Sequence, residues 1–171
     1  MARRLAVPGV TALALIAAAA CGKYPDLKND LKIVNVLSGY HDAGITPDHK
    51  NKLVPSLTFQ LKNDGADTLS YIDLAVDYWQ VGDDGPLDSK LIVSAIGGHS
   101  LQPGQTSESI TVRADTGYTS EAARVDFFTN SVFKGFTAKV YAKFRGRTTP
   151  LGELKVEPRL LPSTSRDGNR P

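Results

Sequence analysis

The chain is poor in the residues that build disulfide, metal and nucleic-acid sites. Its 171 residues include one cysteine, one tryptophan and one methionine, and the formal net charge is only +2. A single cysteine excludes an internal disulfide framework and a cysteine-rich zinc cluster. The small charge gives no electrostatic basis for binding nucleic acid. A hydrophobic content of 41% excludes a chain that is disordered throughout, and the length suits one domain.

Residues 1–20 have the pattern of a secretory signal peptide. Arg3 and Arg4 form a positively charged start, and residues 10–20 are uncharged and mostly apolar. This stretch is shorter than the roughly 20 apolar residues that a membrane-spanning helix needs. The two arginines account for the whole excess of charge, because the remaining residues include 18 basic and 18 acidic side chains. We therefore expect the mature protein to be formally neutral.

The single cysteine lies directly after this segment. The sequence Ala18-Ala19-Ala20-Cys21-Gly22 resembles the lipobox of bacterial lipoproteins, although Ala18 stands where those proteins usually have leucine. The resemblance implies that Cys21 becomes the lipidated N-terminus and holds the protein in the cell envelope, since several acyl chains anchor stably. Gly22, rather than an aspartate, implies the outer membrane, facing the periplasm. Ordinary cleavage, leaving a soluble protein with a free Cys21, is the alternative.

The rest of the chain predicts a tether, one β domain and a tail. Residues 21–30 are short and polar, which is typical of a tether, and residues 162–171 have no apolar residue besides proline, which predicts a disordered tail. Residues 31–161 alternate apolar and polar side chains between turn residues, which predicts about seven strands. This pattern favours an all-β, antiparallel, immunoglobulin-like β-sandwich. Residues 120–133 fit one short helix or an irregular strand.

The predicted core consists of the apolar side chains on the inward side of each alternating segment. It comprises Ile33, Leu57, Phe59, Leu61, Ile72, Leu74, Val76, Tyr78, Ile110, Val112, Phe136, Ala138, Val140, Ala142, Leu154 and Val156.

Residues 57–78, followed by the Leu-Gln-Pro-Gly sequence of residues 101–104, resemble bacterial immunoglobulin-like modules of the FxLYD type. The resemblance covers about residues 54–114. The Leu-Tyr-Asp sequence that names the family is replaced by the Asp-Tyr-Trp-Gln of residues 77–80. The resemblance implies a non-enzymatic accessory domain of an envelope protein, and it supplies no catalytic residue.

The side chains that could take part in catalysis or metal binding do not form a recognisable motif. The three histidines, His41, His49 and His99, fall in polar segments without the converging partners that zinc requires. The acidic residues around 82–88 lack the spacing of a calcium loop. No nucleophile elbow or phosphate-binding loop occurs. We therefore expect no enzymatic activity, no metal and no cofactor.

Two predicted strands, residues 69–80 and 136–145, would lie side by side in an immunoglobulin-like sandwich. Their outward residues oppose acids with bases, and such pairs contribute about 0.2–1 kcal/mol each. A solvated, ion-paired surface is one interpretation, and a recognition surface is the other, because Trp, Tyr and Arg often anchor partners. The residues are Tyr71, Asp73, Asp77, Trp79, Lys139, Tyr141, Lys143 and Arg145.

Three functional hypotheses follow. The first is an envelope lipoprotein that binds another envelope protein. The second is a module that binds a glycan or other envelope component through Tyr71, Trp79 and Tyr141. The third is a hydrolase whose residues converge only in space, which requires a histidine beside a serine and a carboxylate.

Overall fold

The computed structural model describes residues 24–162, and Cys21, the signal peptide and residues 163–171 lie outside that range. Two antiparallel four-stranded sheets form an all-β sandwich, as predicted. Within the described residues, no helix is both long enough and apolar enough to cross a membrane. The elements are α1 (Leu27–Asp30), β1 (Leu31–Ile45), β2 (Asn51–Asn63), β3 (Asp73–Gln80), β4 (Pro86–Ile92), β5 (Ile110–Arg113), β6 (Tyr118–Ser120), a 3-10 helix (Arg124–Thr129), β7 (Phe136–Phe144) and β8 (Arg147–Lys155).

The strand order is that of an immunoglobulin-like domain. The first sheet runs β1-β2-β5, with the short β6 also paired to β2, and the second runs β4-β3-β7-β8. These orders match strands A-B-E and C′-C-F-G of the immunoglobulin fold. The eighth strand, β6, was not predicted, because three residues are too few to show an alternating pattern.

The alternation of the sequence decides which side chains enter the core. All predicted core residues are buried except Ile33, Ile110 and Leu154, which are half-buried and pack at its margin. The sequence pattern missed Tyr40, which is fully buried. The edge of its strand β1 that does not pair with β2 is hydrogen-bonded to the C-terminal segment. There the Tyr40 amide donates to the Arg159 carbonyl at 2.8 Å. Gly39 permits this approach, since a Cβ there would lie 2.8 Å from the same carbonyl oxygen.

Polar contacts join the two sheets across the sandwich. The buried Tyr78 hydroxyl on β3 donates to the Val112 carbonyl on β5 at 2.9 Å, and burial raises the pKa of Tyr78. On the side where β4 forms the edge, the Lys90 ammonium pairs with Asp115 in the loop after β5. The neighbouring Asp88 carboxylate accepts from the Thr116 amide at 3.3 Å. These contacts fix β4 against the first sheet.

Two segments can be compared with the predictions. The described part of the expected tether packs on the domain, since Leu27 of α1 is only 4% exposed and belongs to the core. The segment 120–133 contains a short helix, one of the two predicted alternatives, and this helix is of the 3-10 type. Its buried residue is Phe127, whereas Val125 and Val132 are exposed.

Candidate binding face

The outward side of the second sheet, called the outer face below, carries most of the predicted site residues. Strands β3 and β7 are antiparallel neighbours, as expected. Tyr71 and Arg145 lie beyond these strands, because both adopt left-handed backbone conformations, with φ of 57° and 46°. Tyr71 precedes β3, and Arg145 forms the β7–β8 turn with Gly146. The residues on the outer face itself are Asp73, Asp77 and Trp79 of β3 and Lys139, Tyr141 and Lys143 of β7.

The register places acids opposite bases, but the charges do not pair directly. Asp73 lies opposite Lys143, and Asp77 lies opposite Lys139. Among the described residues, however, no ion pair within 4.0 Å joins these four side chains. The Asp73 carboxylate instead accepts from the Ser94 amide at 2.7 Å. Of the solvated, ion-paired interpretation, the opposition of acids and bases is therefore present, whereas direct ion pairs between these described side chains are not.

Lys139 contacts the tryptophan rather than an acid. Its Nζ atom lies 3.8 Å from the centroid of the Trp79 ring, a cation–π geometry that contributes about 0.5–1 kcal/mol at an exposed site. The ring is half-buried, and its Nε1 atom is buried without a hydrogen-bond partner among the described residues. One face of the ring is thus occupied by a side chain of the protein.

The two aromatic residues of the outer face are well separated along the sheet. Trp79 lies opposite Thr137, and Tyr141 lies opposite Ala75. Thr137 and Tyr141 are four residues apart on one strand, which corresponds to about 13 Å along the backbone. This backbone spacing is wider than one sugar ring, which disfavours the two residues as a stacking pair for a single ring.

An apolar row crosses the outer face, and it was not apparent from the sequence. The register aligns Leu91 of β4 with Ala75, Tyr141 and Pro150 of the successive strands. Leu91 is 58% exposed, although leucine at the edge of a sheet gains from being covered. Val93, just past β4, is 68% exposed and extends the apolar surface beyond the strand.

Charged residues border the apolar row on both sides. One neighbouring row contains Asp77, Lys139 and Glu153, and the other contains Asp73 and Lys143. Beside β8, a shallow cavity of about 460 Å³ is lined by Lys28, Lys139, Tyr141, Pro150, Leu151, Gly152 and Glu153. The outer face thus has an apolar centre with an aromatic residue and a charged rim.

The histidines are the residues on which a metal site or a hydrolase triad would depend. Among residues 24–162, no three or more His, Cys, Asp or Glu side chains group as metal ligands would. His99 does line a cavity of about 480 Å³ together with Ser107 and Glu108. The Ser107 hydroxyl, however, donates to the Glu108 carbonyl at 2.7 Å and accepts from the Leu61 amide at 2.9 Å. A nucleophilic serine must instead bond to its base, so this cavity has no assembled triad.

The fold and the outer face together define a β-sandwich of immunoglobulin-like strand order with a partly exposed apolar row. No family model matches the chain, and no curated protein matches it. A similar solved structure is the Northeast Structural Genomics Consortium target SoR45, at 11% sequence identity. The similarity covers 84% of this chain and 96% of that chain, with a TM-score of 0.47.

Proposed function

We propose that this protein is a non-enzymatic, lipid-anchored lipoprotein of the bacterial cell envelope whose outer face binds another envelope protein. The observation that carries the proposal is the apolar row from Leu91 to Tyr141, with charged residues on both sides. Protein interfaces have apolar centres rich in aromatic residues and polar rims. Their energy concentrates in a few anchors, among which tyrosine is common.

The face is a better candidate than the backbone edge of β4. An edge strand can accept an added strand from a partner, and β4 has no strand beyond it in the second sheet. Lys90 lies opposite the buried Val76, so its charge points inward toward Asp88 and Asp115. Inward-pointing charges are a common device against edge-to-edge pairing. We therefore assign the partner to the side chains of the outer face.

The proposed anchor is the lipidated Cys21, expected in the outer membrane and facing the periplasm. The lipobox resemblance supports it, as does the position of Tyr24, which packs on Phe144 at one end of the sandwich. An attachment at that end leaves the sheet faces open to a partner. Cys21→Ser is expected to abolish incorporation of radiolabelled palmitate and to leave unprocessed precursor. Continued labelling would refute the anchor.

The other hypotheses have weaker support. A glycan site is disfavoured by Lys139 over the Trp79 ring and by the backbone spacing between the two aromatic residues. A hydrolase is disfavoured because the Ser107 hydroxyl bonds only to backbone groups.

Photo-crosslinking from two positions tests the proposed face. A photoreactive residue replaces Ser89, which is exposed beside Leu91 on β4, and in a second variant it replaces Thr111, which is exposed on β5 of the first sheet. In the native envelope, the Ser89 position is expected to yield a discrete protein adduct that the Thr111 position does not. Equal adducts from both positions, or adducts to carbohydrate alone from Ser89, would contradict the proposal.

A further inference from the structure

A basic turn lies at the end of the sandwich where the described chain begins. Arg145 and Gly146 connect β7 to β8 with φ of 46° and 79°, a two-residue turn of the type that joins tight hairpins. The turn exposes Arg145 and Arg147 side by side at the tip. Neither guanidinium has a carboxylate within 4.0 Å among residues 24–162.

Tyr24 ties the start of the described chain to this turn. The Arg147 Cζ atom lies 4.4 Å from the centroid of the Tyr24 ring, and the Arg145 Cζ atom lies 5.9 Å from it. The Tyr24 and Phe144 rings also pack edge to face, at a centroid distance of 6.2 Å. We call Tyr24, Phe144, Arg145 and Arg147 the anchor-end patch. It combines two unpaired positive charges with two aromatic rings.

The length of chain before Tyr24 limits how far this patch can be from a membrane. Cys21 is three residues earlier, and three residues span at most about 10 Å when fully extended. Electrostatic interactions in physiological salt extend over about 8–10 Å. If Cys21 carries lipid, as in the proposed function on which this inference rests, the patch lies within electrostatic range of the lipid head groups.

We propose that the anchor-end patch docks on anionic phospholipid head groups of the membrane that holds Cys21. Guanidinium groups bind phosphate oxygens in bidentate geometry, and tyrosine favours the interface between lipid and water. The nearby acids bond to amide groups and not to the two arginines: Asp26 accepts from the Asn29 amide group at 2.7 Å, and Asp30 accepts from the Asp26 backbone amide at 3.1 Å. Docking would hold the sandwich in one orientation on the membrane.

Energy transfer from a labelled side chain to labelled lipid tests the docking. The lipidated full chain is reconstituted in phosphatidylcholine vesicles with or without phosphatidylglycerol. A donor is attached at Thr148→Cys, next to the turn, or at Gly85→Cys at the opposite end, where a Cβ meets nothing within 4 Å. The length of β7 separates these ends by about 27 Å. Transfer to the head-group acceptor is expected to rise with phosphatidylglycerol from Thr148→Cys only.

Charge variants separate docking from general attraction. Each arginine near an anionic surface raises the docked-to-undocked ratio about fivefold, so Arg145→Gln with Arg147→Gln is expected to lower that ratio by about 25-fold. Arg145→Lys with Arg147→Lys should keep most of the docking. Lys52→Gln with Lys134→Gln removes the same charge at the opposite end and should change nothing.

Flotation of the same vesicles distinguishes the two proposals. A chain that fails to float with the vesicles overturns the lipid anchor and this inference with it. A chain that floats but shows equal transfer with and without phosphatidylglycerol overturns the docking alone, and would assign the patch to a protein partner instead.

Discussion

The substitution Leu91→Asp tests the outer face as a binding surface. Leu91 occupies the β4 end of the apolar row and is 58% exposed, so the aspartate would stay in contact with water in the unbound protein. A matched change is Ile45→Asp at the end of β1 in the first sheet, where the side chain is 66% exposed. Both variants replace an exposed aliphatic strand residue with a carboxylate.

The two variants should cost similar stability but differ in binding. Complete burial of a leucine contributes about 2 kcal/mol, so the less than half that is buried at Leu91 is worth about 1 kcal/mol or less. That loss lowers Tm by about 3–5 °C. In a bound complex, by contrast, an unpaired carboxylate in an apolar centre costs about 2–4 kcal/mol, hence about 30-fold or more in affinity.

The assay combines thermal unfolding, followed by circular dichroism, with the adduct yield from the photoreactive Ser89 position. Leu91→Asp is expected to keep a cooperative transition and lose most of the adduct. Ile45→Asp should show the same Tm shift and keep the adduct. A Leu91→Asp variant that folds and retains the full adduct yield would refute the assignment of the apolar row to binding.

Three further predictions concern the sandwich itself. Tyr78→Phe removes the hydroxyl that joins the sheets at Val112. The free energy of unfolding in urea titrations should fall by about 1–2 kcal/mol, and an unchanged value would show that this bond does not stabilise the fold. Gly117→Ala would place a Cβ 2.1 Å from the Leu53 carbonyl oxygen and should destabilise by about 1–3 kcal/mol, whereas Gly85→Ala, in open space, should not. The hydrogen bond from Lys90 holds the pKa of Asp115 below its usual range, so its contribution is present at neutral pH and is lost as the pH falls through the folded-state pKa. The Tm difference between the wild type and Asp115→Asn should therefore shrink below about pH 4, and a difference that persists in acid would contradict this.

The sequence predicted side-chain burial correctly where burial depends on the alternation within a single strand. Alternation along β3 and β7 predicted which side chains enter the core, because inward and outward positions follow directly from the pleat. It could not predict that Tyr40 is buried, since the Tyr40 ring packs against Phe128, Phe133 and Phe136, which lie far away in the sequence.

The register between neighbouring strands could not be predicted from the sequence either. The β7–β8 pairing shifts between Val140 and Tyr141, so that Leu151 is an extra residue and Pro150 lies opposite Tyr141. A bulge of this kind moves every later side chain relative to its neighbours, and a turn-and-alternation pattern does not show where it occurs. The apolar row is a property of four registers together, whereas the sequence pattern gave only the outward residues of two strands. Lys139 contacts Trp79 and not the opposing Asp77 for a related reason, because opposite positions bring side chains close without fixing their rotamers.

Thiol accessibility in the native envelope tests most directly whether the outer face is covered. In the lipidated chain, Cys21 is blocked, so Ser89→Cys or Thr111→Cys would carry the single reactive thiol. We expect Ser89→Cys to react slowly with a maleimide in the envelope and rapidly once the protein is purified, while Thr111→Cys reacts rapidly in both. Equal and rapid reaction of both cysteines in the native envelope would contradict it.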